Sequence, residues 1–145
     1  MTDTDQTAWL EWRRHGIGAS DVAATKANIY GGATKAVATK LGHDTNDITP
    51  ELAARGKRWE PVIAAGIHAH TGYHIAGAQT QLEHPTHPIY RCTPDGFLLT
   101  TPSGRISDAA GGCEIKTKGP SAPWQWTYWH AQCQWSMLVA QLPRW

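Results

Sequence analysis
The hydrophobic period of this chain changes near Gly72, and that change limits the folds open to it. Before Gly72 the apolar residues recur at helical spacing; after it they fall in short runs cut by turns. Ala8, Trp9 and Trp12 predict a helix over residues 6–14, which Gly16 and Gly18 end. Ser20 is placed to cap a second, over residues 21–28, with Asp21 in its first turn. Val37 and Leu41, one turn apart, mark a third over residues 34–41, stopped by Gly42. Residues 42–50 are polar and read as a loop. A longer helix is expected from Pro50 and Glu51 to about His70. Leu52, Trp59, Ile63 and Ile67 form its buried stripe, and Glu60 lies one step off it. Pro61 removes one helical hydrogen bond and predicts a kink near residue 57.

Beyond Gly72, residues 73–82 read as one strand or a pair, and residues 97–100 as another, closed by Pro102-Ser103-Gly104. Gly111-Gly112 launches a third over residues 113–117, which Gly119-Pro120 ends. After the break at Pro120 to Pro123, residues 126–140 return to helix. Helices, a meander, then a helix define a mixed α+β class. At 145 residues, without repeats or a low-complexity linker, a single domain over 1–145 is expected, with a helical part at 1–50 and a core at 51–145.

Composition removes several function classes. No run nears the roughly 20 apolar residues of a membrane span, and no basic-then-apolar leader opens the chain, so a cytosolic protein without membrane contact is expected. Cys92, Cys113 and Cys133 are odd in number and widely spaced, which argues against a disulfide framework or a thiolate zinc site. On a helix His68 and His70 point about 200° apart. His84 and His87 fall in a Pro-rich loop, so histidine zinc is not expected either. Gly16-Ile17-Gly18 lacks the third glycine and the preceding strand of a dinucleotide loop. Net charge is +1, so any nucleic-acid contact must use local charge: Arg13-Arg14, or Arg55-Lys57-Arg58. Trp124, Trp126, Trp129 and Trp135 crowd together with Tyr128, either as core or oligomer contact or as a platform for bases.

Pro94-Asp95-Gly96 and Glu114-Ile115-Lys116 carry the sharpest chemistry. In a strand alternate residues share a face, so Glu114 and Lys116 point one way while Cys113 and Ile115 point the other. If the preceding strand pairs as a hairpin, Asp95 lies across from Glu114. Two carboxylates and the Ile115 carbonyl are hard oxygen ligands, suited to Mg²⁺ or Mn²⁺. Lys116 is then placed to position and help deprotonate a water, or to neutralise charge on a phosphate. Lysine suits this better than arginine, since its pKa responds to its surroundings. Singly, Pro-Asp-Gly is a turn and Glu-x-Lys an exposed strand face. Together, with Glu60 on a preceding helix, they suggest a phosphodiester-hydrolysing site.

Five segments in order resemble the phage lambda exonuclease and YqaJ-like viral recombinase family of the PD-(D/E)xK nuclease superfamily. They are residues 8–22, Arg55-Gly56-Lys57-Arg58-Trp59-Glu60-Pro61, Cys92-Thr93-Pro94-Asp95-Gly96, Glu114-Ile115-Lys116, and residues 128–137 from Tyr128 to Met137. The resemblance implies a restriction-endonuclease-like core, a mixed central β-sheet flanked by helices. It implies that Asp95 and Glu114 bind the catalytic metals, that Glu60 contributes to a second ion or through water, and that Lys116 is the catalytic lysine. Gln132 would face the active site, and Arg13 and Ser20 would hold a 5′-phosphate. The activity implied is Mg²⁺-dependent digestion of double-stranded DNA from free 5′ ends, leaving 3′ tails for a single-strand annealing protein. A trimeric homo-oligomer and a phage- or prophage-encoded protein in the bacterial cytoplasm are implied as well. Relatives usually continue past the Gln132 helix, so a C-terminally shortened version is expected. An endonuclease of the same fold and a non-catalytic DNA-end-binding remnant are the alternatives.

Overall fold
The computed structural model describes residues 3–44 and 50–145. Among them the helices are α1 (Asp3–Arg14), α2 (Ala19–Ala27), α3 (Gly32–Lys40), α4 (Pro50–Thr71) and α5 (Trp126–Ala140). The strands are β1 (His74–Ala76), β2 (Leu82–His84), β3 (His87–Cys92), β4 (Gly96–Leu99) and β5 (Gly111–Cys113). The class is α+β, as the change of period requires. The named strands pair antiparallel in two small sheets, β1-β4-β5 and β2-β3, rather than in one mixed sheet. Two compact units result. One holds the described residues up to Asp44 with Gln81–Thr93 and Gln125–Gln141; the other holds residues 50–80, Pro94–Trp124 and Leu142–Trp145. Gln81–Thr93 and Gln125–Gln141, which fall within the expected core 51–145, thus group with the N-terminal helices.

In the first unit α5 packs on α2 and on the β2-β3 hairpin. Ala19, Cys92 and Val139 are buried at its centre, walled by Leu82, Tyr90 and Trp135. The tryptophan indoles work as polar anchors here: Trp9 donates to Thr93 Oγ1 at 3.3 Å and Trp135 to the Arg91 carbonyl at 3.1 Å. Three expectations change. Ser20 is not the cap of α2. Gly18 occupies that position and donates its N–H to the Asp21 carboxylate at 2.8 Å, so the helix starts two residues early and Ser20 lies in its first turn. Val37 and Leu41 are 57% and 66% exposed, so their spacing marks no buried face. His84 and His87 lie on a hairpin, not in a loop: β3 carries Pro88 near its start, where a missing N–H is tolerated on an outer strand.

In the second unit β4 lies between β1 and β5. Phe97 and Leu99 alternate along β4 into a buried face, 1% and 2% exposed. Two glycines set the spacing. A Cβ at Gly96 would run into Ile75 on β1, and one at Gly112 into the Trp145 ring. The Gly112 N–H donates to the Arg144 carbonyl at 3.1 Å, and Trp145 meets Phe97 edge-on. Helix α4 reaches this sheet through its last turns, where the His68 ring stacks on His74 of β1 at 4.2 Å. Its expected apolar stripe is only partly covered, since Trp59 stays 48% exposed; the Leu52 side chain lies outside the described residues. Pro61 sits within the helix. The third strand is Gly111–Cys113, shorter and earlier than expected, and Glu114 to Lys116 continue from it outside regular structure. Cys92, Cys113 and Cys133 form no disulfide among the described residues. No helix among the described residues is long and apolar enough to cross a membrane.

Candidate active site
The hairpin register decides where the carboxylates meet. Gly96 pairs with Cys113, Phe97 with Gly112 and Leu98 with Gly111. Extending that register by one residue sets Asp95 opposite Glu114, the juxtaposition the sequence spacing predicts. Asp95 follows the buried Pro94, and its Oδ2 accepts the Ile115 N–H at 2.7 Å across the mouth of the hairpin. Glu114, 7% exposed at its side chain, receives the Lys116 ammonium at 2.5 Å, with Lys116 itself 32% exposed. Glu60 stands on α4 of the same unit, close enough to feel Asp95, Lys57 and Lys116.

Three carboxylates against Lys116 and, at Glu60, Lys57 leave an excess of negative charge in a partly buried place. Burial pushes Glu114 up to about 7, against the pull of Lys116, while Asp95 and Glu60 push it further. Asp95 is raised by burial, against the Ile115 N–H and Lys116. Glu60 is raised by burial and then by Asp95, with Lys57 and Lys116 opposing. The donor chemistry fits a hard divalent cation: oxygen ligands only, and a local charge that added positive charge would relieve. Among the described residues no three His, Cys, Asp or Glu side chains close into a ready cage. Asp95 and Glu114 would therefore need the Ile115 carbonyl and waters to complete a coordination shell.

The remaining expected site residues belong to the first unit. Arg13, at the end of α1, donates from Nη2 to Ser20 Oγ at 2.8 Å and lies over the Trp9 ring at 4.6 Å. Because Asp21 rather than Ser20 satisfies the α2 N-terminus, the Ser20 hydroxyl is left for Arg13. Lys40, which the sequence did not single out, donates to the Arg13 carbonyl at 2.7 Å and pairs with Asp21 at 2.8 Å. Gln132 is half-buried on α5. Lys57 was legible only as a member of a basic cluster; its place three residues before Glu60 puts it one helical turn away, and it tempers that carboxylate.

An α+β fold with an acidic cluster and lysine at a hairpin mouth defines a class, and comparison with known proteins narrows it. The crystal structure of an alkaline exonuclease from Laribacter hongkongensis is similar in fold, with a TM-score of 0.64 at 20% identity, covering 94% of this chain and 69% of that one. The same enzyme in complex with dAMP gives a TM-score of 0.61 at 21% identity, with the same coverage. Comparison with curated proteins found no match. The family model of the YqaJ-like viral recombinase domain matches residues 8–143, and the chain belongs to that family.

Proposed function
We propose that this protein is a metal-dependent DNA exonuclease that degrades the 5′-ended strand of a duplex and leaves 3′ single-stranded tails for recombination. The observation that carries this reading is the gathering of Glu60, Asp95, Glu114 and Lys116 as interacting charges in one unit. Membership of the YqaJ-like family and the fold shared with an alkaline exonuclease support it. Asp95, Glu114 and the Ile115 carbonyl would hold Mg²⁺ or Mn²⁺, with Glu60 joining at a second ion or through water. Such an ion, when bound, supplies Lewis acidity at the phosphate and makes water a better nucleophile. Lys116 orients the attacking water beside Glu114 and offsets the charge that builds on the phosphate. Gln132 is kept as a candidate on the family resemblance.

Arg13 and Ser20 are the proposed holders of the terminal 5′-phosphate. A guanidinium binds phosphate oxygens in pairs, and the first N–H groups of a helix favour an anion beside them. Duplex DNA with free 5′ ends is the substrate under this reading, a single-strand annealing protein its partner, a trimer its assembly, and the cytoplasm of a phage-bearing bacterium its place of action.

The test is purified protein with Mg²⁺ on linear duplex DNA, 5′-phosphorylated or 5′-hydroxyl, beside a closed circle and an EDTA control. Metal-dependent loss of the phosphorylated linear strand with the circle spared is expected. Nicked circles would reassign the protein to the endonucleases of this fold. Ends bound without cutting would make it a non-catalytic end-binding protein.

A further inference from the structure
We propose that a groove on α4, flanking the acidic cluster, binds the DNA backbone next to the bond being cut, with two cations for a phosphate and an indole for a base. The proposal rests on the nuclease reading above and adds a subsite to it. Arg55, Trp59 and Ile63 recur every four residues and so share one face of α4. Thr117 and Lys118, which follow directly on Lys116, form the opposite wall. Together they line an open cavity of about 310 Å³, at the small end of ligand sites (about 300 to 1,000 Å³) and suited to one nucleotide unit rather than a whole duplex.

The lining contains two cations and no carboxylate. Arg55 Nε is buried and has no hydrogen-bond partner among the described residues. A buried guanidinium donor without an acceptor is costly, and an incoming phosphate oxygen is the acceptor that the position lacks. Gly119 borders that corner: a Cβ there would lie in ordinary contact, 3.8 Å from Arg55 Nη1. Among the described residues Lys118 is fixed by neutral groups. Its ammonium donates to the Ala122 carbonyl at 3.0 Å and the Gly119 carbonyl at 3.3 Å, and sits 4.8 Å from the centre of the Trp124 ring. Neutral carbonyls and an indole hold the ammonium in place while leaving its full charge to attract an anion. The exposed face of Trp59 supplies a stacking surface that accepts any base, so the groove would grip DNA without reading sequence.

The experiment is fluorescence anisotropy of a labelled duplex with a short 5′-phosphorylated end, in EDTA so that nothing is cut. Arg55→Met should weaken binding about 10-fold and lower the salt slope by about 0.7 to 0.9, the loss of one phosphate contact. Arg55→Lys should recover part of the affinity. Trp59→Leu should weaken binding about 5-fold or more with the salt slope unchanged. Arg105→Met is the control, since Arg105 is an exposed cation already paired with Asp108 at 3.3 Å. Wild-type affinity in Arg55→Met, or equal weakening in Arg105→Met, overturns the groove. Should Arg55→Met fold poorly, Lys118→Met and Trp59→Leu decide the matter by the same readout. Cutting by the wild type is measured separately with Mg²⁺. Cutting with binding indifferent to Arg55 overturns the groove alone; binding that depends on Arg55 without any cutting overturns the nuclease reading alone.

Discussion

The two units treat charge in opposite ways. Around Arg13 each charged group has a ready partner: Arg13 on Ser20 at 2.8 Å, Lys40 on Asp21 at 2.8 Å, and Arg91 on Glu83 at 3.0 Å. Around Glu114 three carboxylates face two lysines, Lys116 and, at Glu60, Lys57, and burial raises all three. The first arrangement is stable as folded. The second keeps an excess of buried negative charge, which a bound cation would relieve. The contrast teaches where to look for chemistry: in the unit whose electrostatics remain unbalanced.

The contrast breaks most sharply at Lys116. Lys116→Ala should cut turnover about 10³-fold or more, by the loss of water positioning and charge stabilisation, while its thermal unfolding stays cooperative. Steady-state cleavage beside a melting curve checks both, and an active variant would sink the mechanism. Glu114→Gln should abolish cleavage to the same degree yet raise the stability of the metal-free protein by about 1 to 3 kcal/mol at pH 8, because it removes a poorly compensated buried charge. A lower urea midpoint for this variant would mean that Glu114 is part of a settled ion pair like Lys40 and Asp21.

The pH dependence sharpens the same point. Glu114 in the folded protein stays protonated up to about 7, above its ordinary value of 4.5. Below that ordinary value both folded and unfolded chains carry the proton, and its contribution to stability is complete. Between the two values only the folded chain holds it, so stability declines as pH rises, and above about 7 the contribution is gone. The metal-free protein should thus lose about 2 to 3 kcal/mol between pH 5 and 8 from this group. Chemical denaturation across that range measures it. Millimolar Mg²⁺ should restore the loss at pH 8, whereas a flat profile without metal would remove the imbalance on which the contrast rests.

Much of this site was legible because a hairpin converts spacing into position. Asp95 precedes one strand and Glu114 follows its partner, so the register that pairs Gly96 with Cys113 brings them together almost regardless of loop length. The segment beyond was less legible: Glu114 to Lys116 leave the strand, since the Asp95 carboxylate takes the Ile115 N–H that a ladder would otherwise use. Ser20 misled for a physical reason. Two residues could cap α2, and Asp21 at its third position bonds the Gly18 N–H, which a serine at the cap could not do for a helix starting later. Val37 and Leu41 had helical spacing without a surface to bury against, a distinction that periodicity does not encode. Strand β3 went unrecognised because Pro88 signals a loop, although on a two-stranded hairpin it sits where no ladder bond is required.

The smallest effect belongs to the balanced unit, and it is a difference between substrates. If Arg13 and Ser20 hold a terminal phosphate, Arg13→Ala should lower kcat/KM on 5′-phosphorylated duplex about 10- to 100-fold, as loss of a charge-assisted contact. It should leave the 5′-hydroxyl duplex, which offers nothing to that pair, nearly unchanged. Ser20→Ala should cost less, about 3- to 10-fold, since the hydroxyl gives one neutral hydrogen bond and the α2 backbone N–H groups persist. Arg13 also lies over Trp9, so a purely packing role is the competing account. Packing damage would slow both substrates equally, and Arg13→Lys separates the two further, keeping the charge while losing the paired contact. Equal loss on both ends would make the Arg13–Ser20 bond a structural brace and leave the recognition of the 5′ end to residues outside this pair.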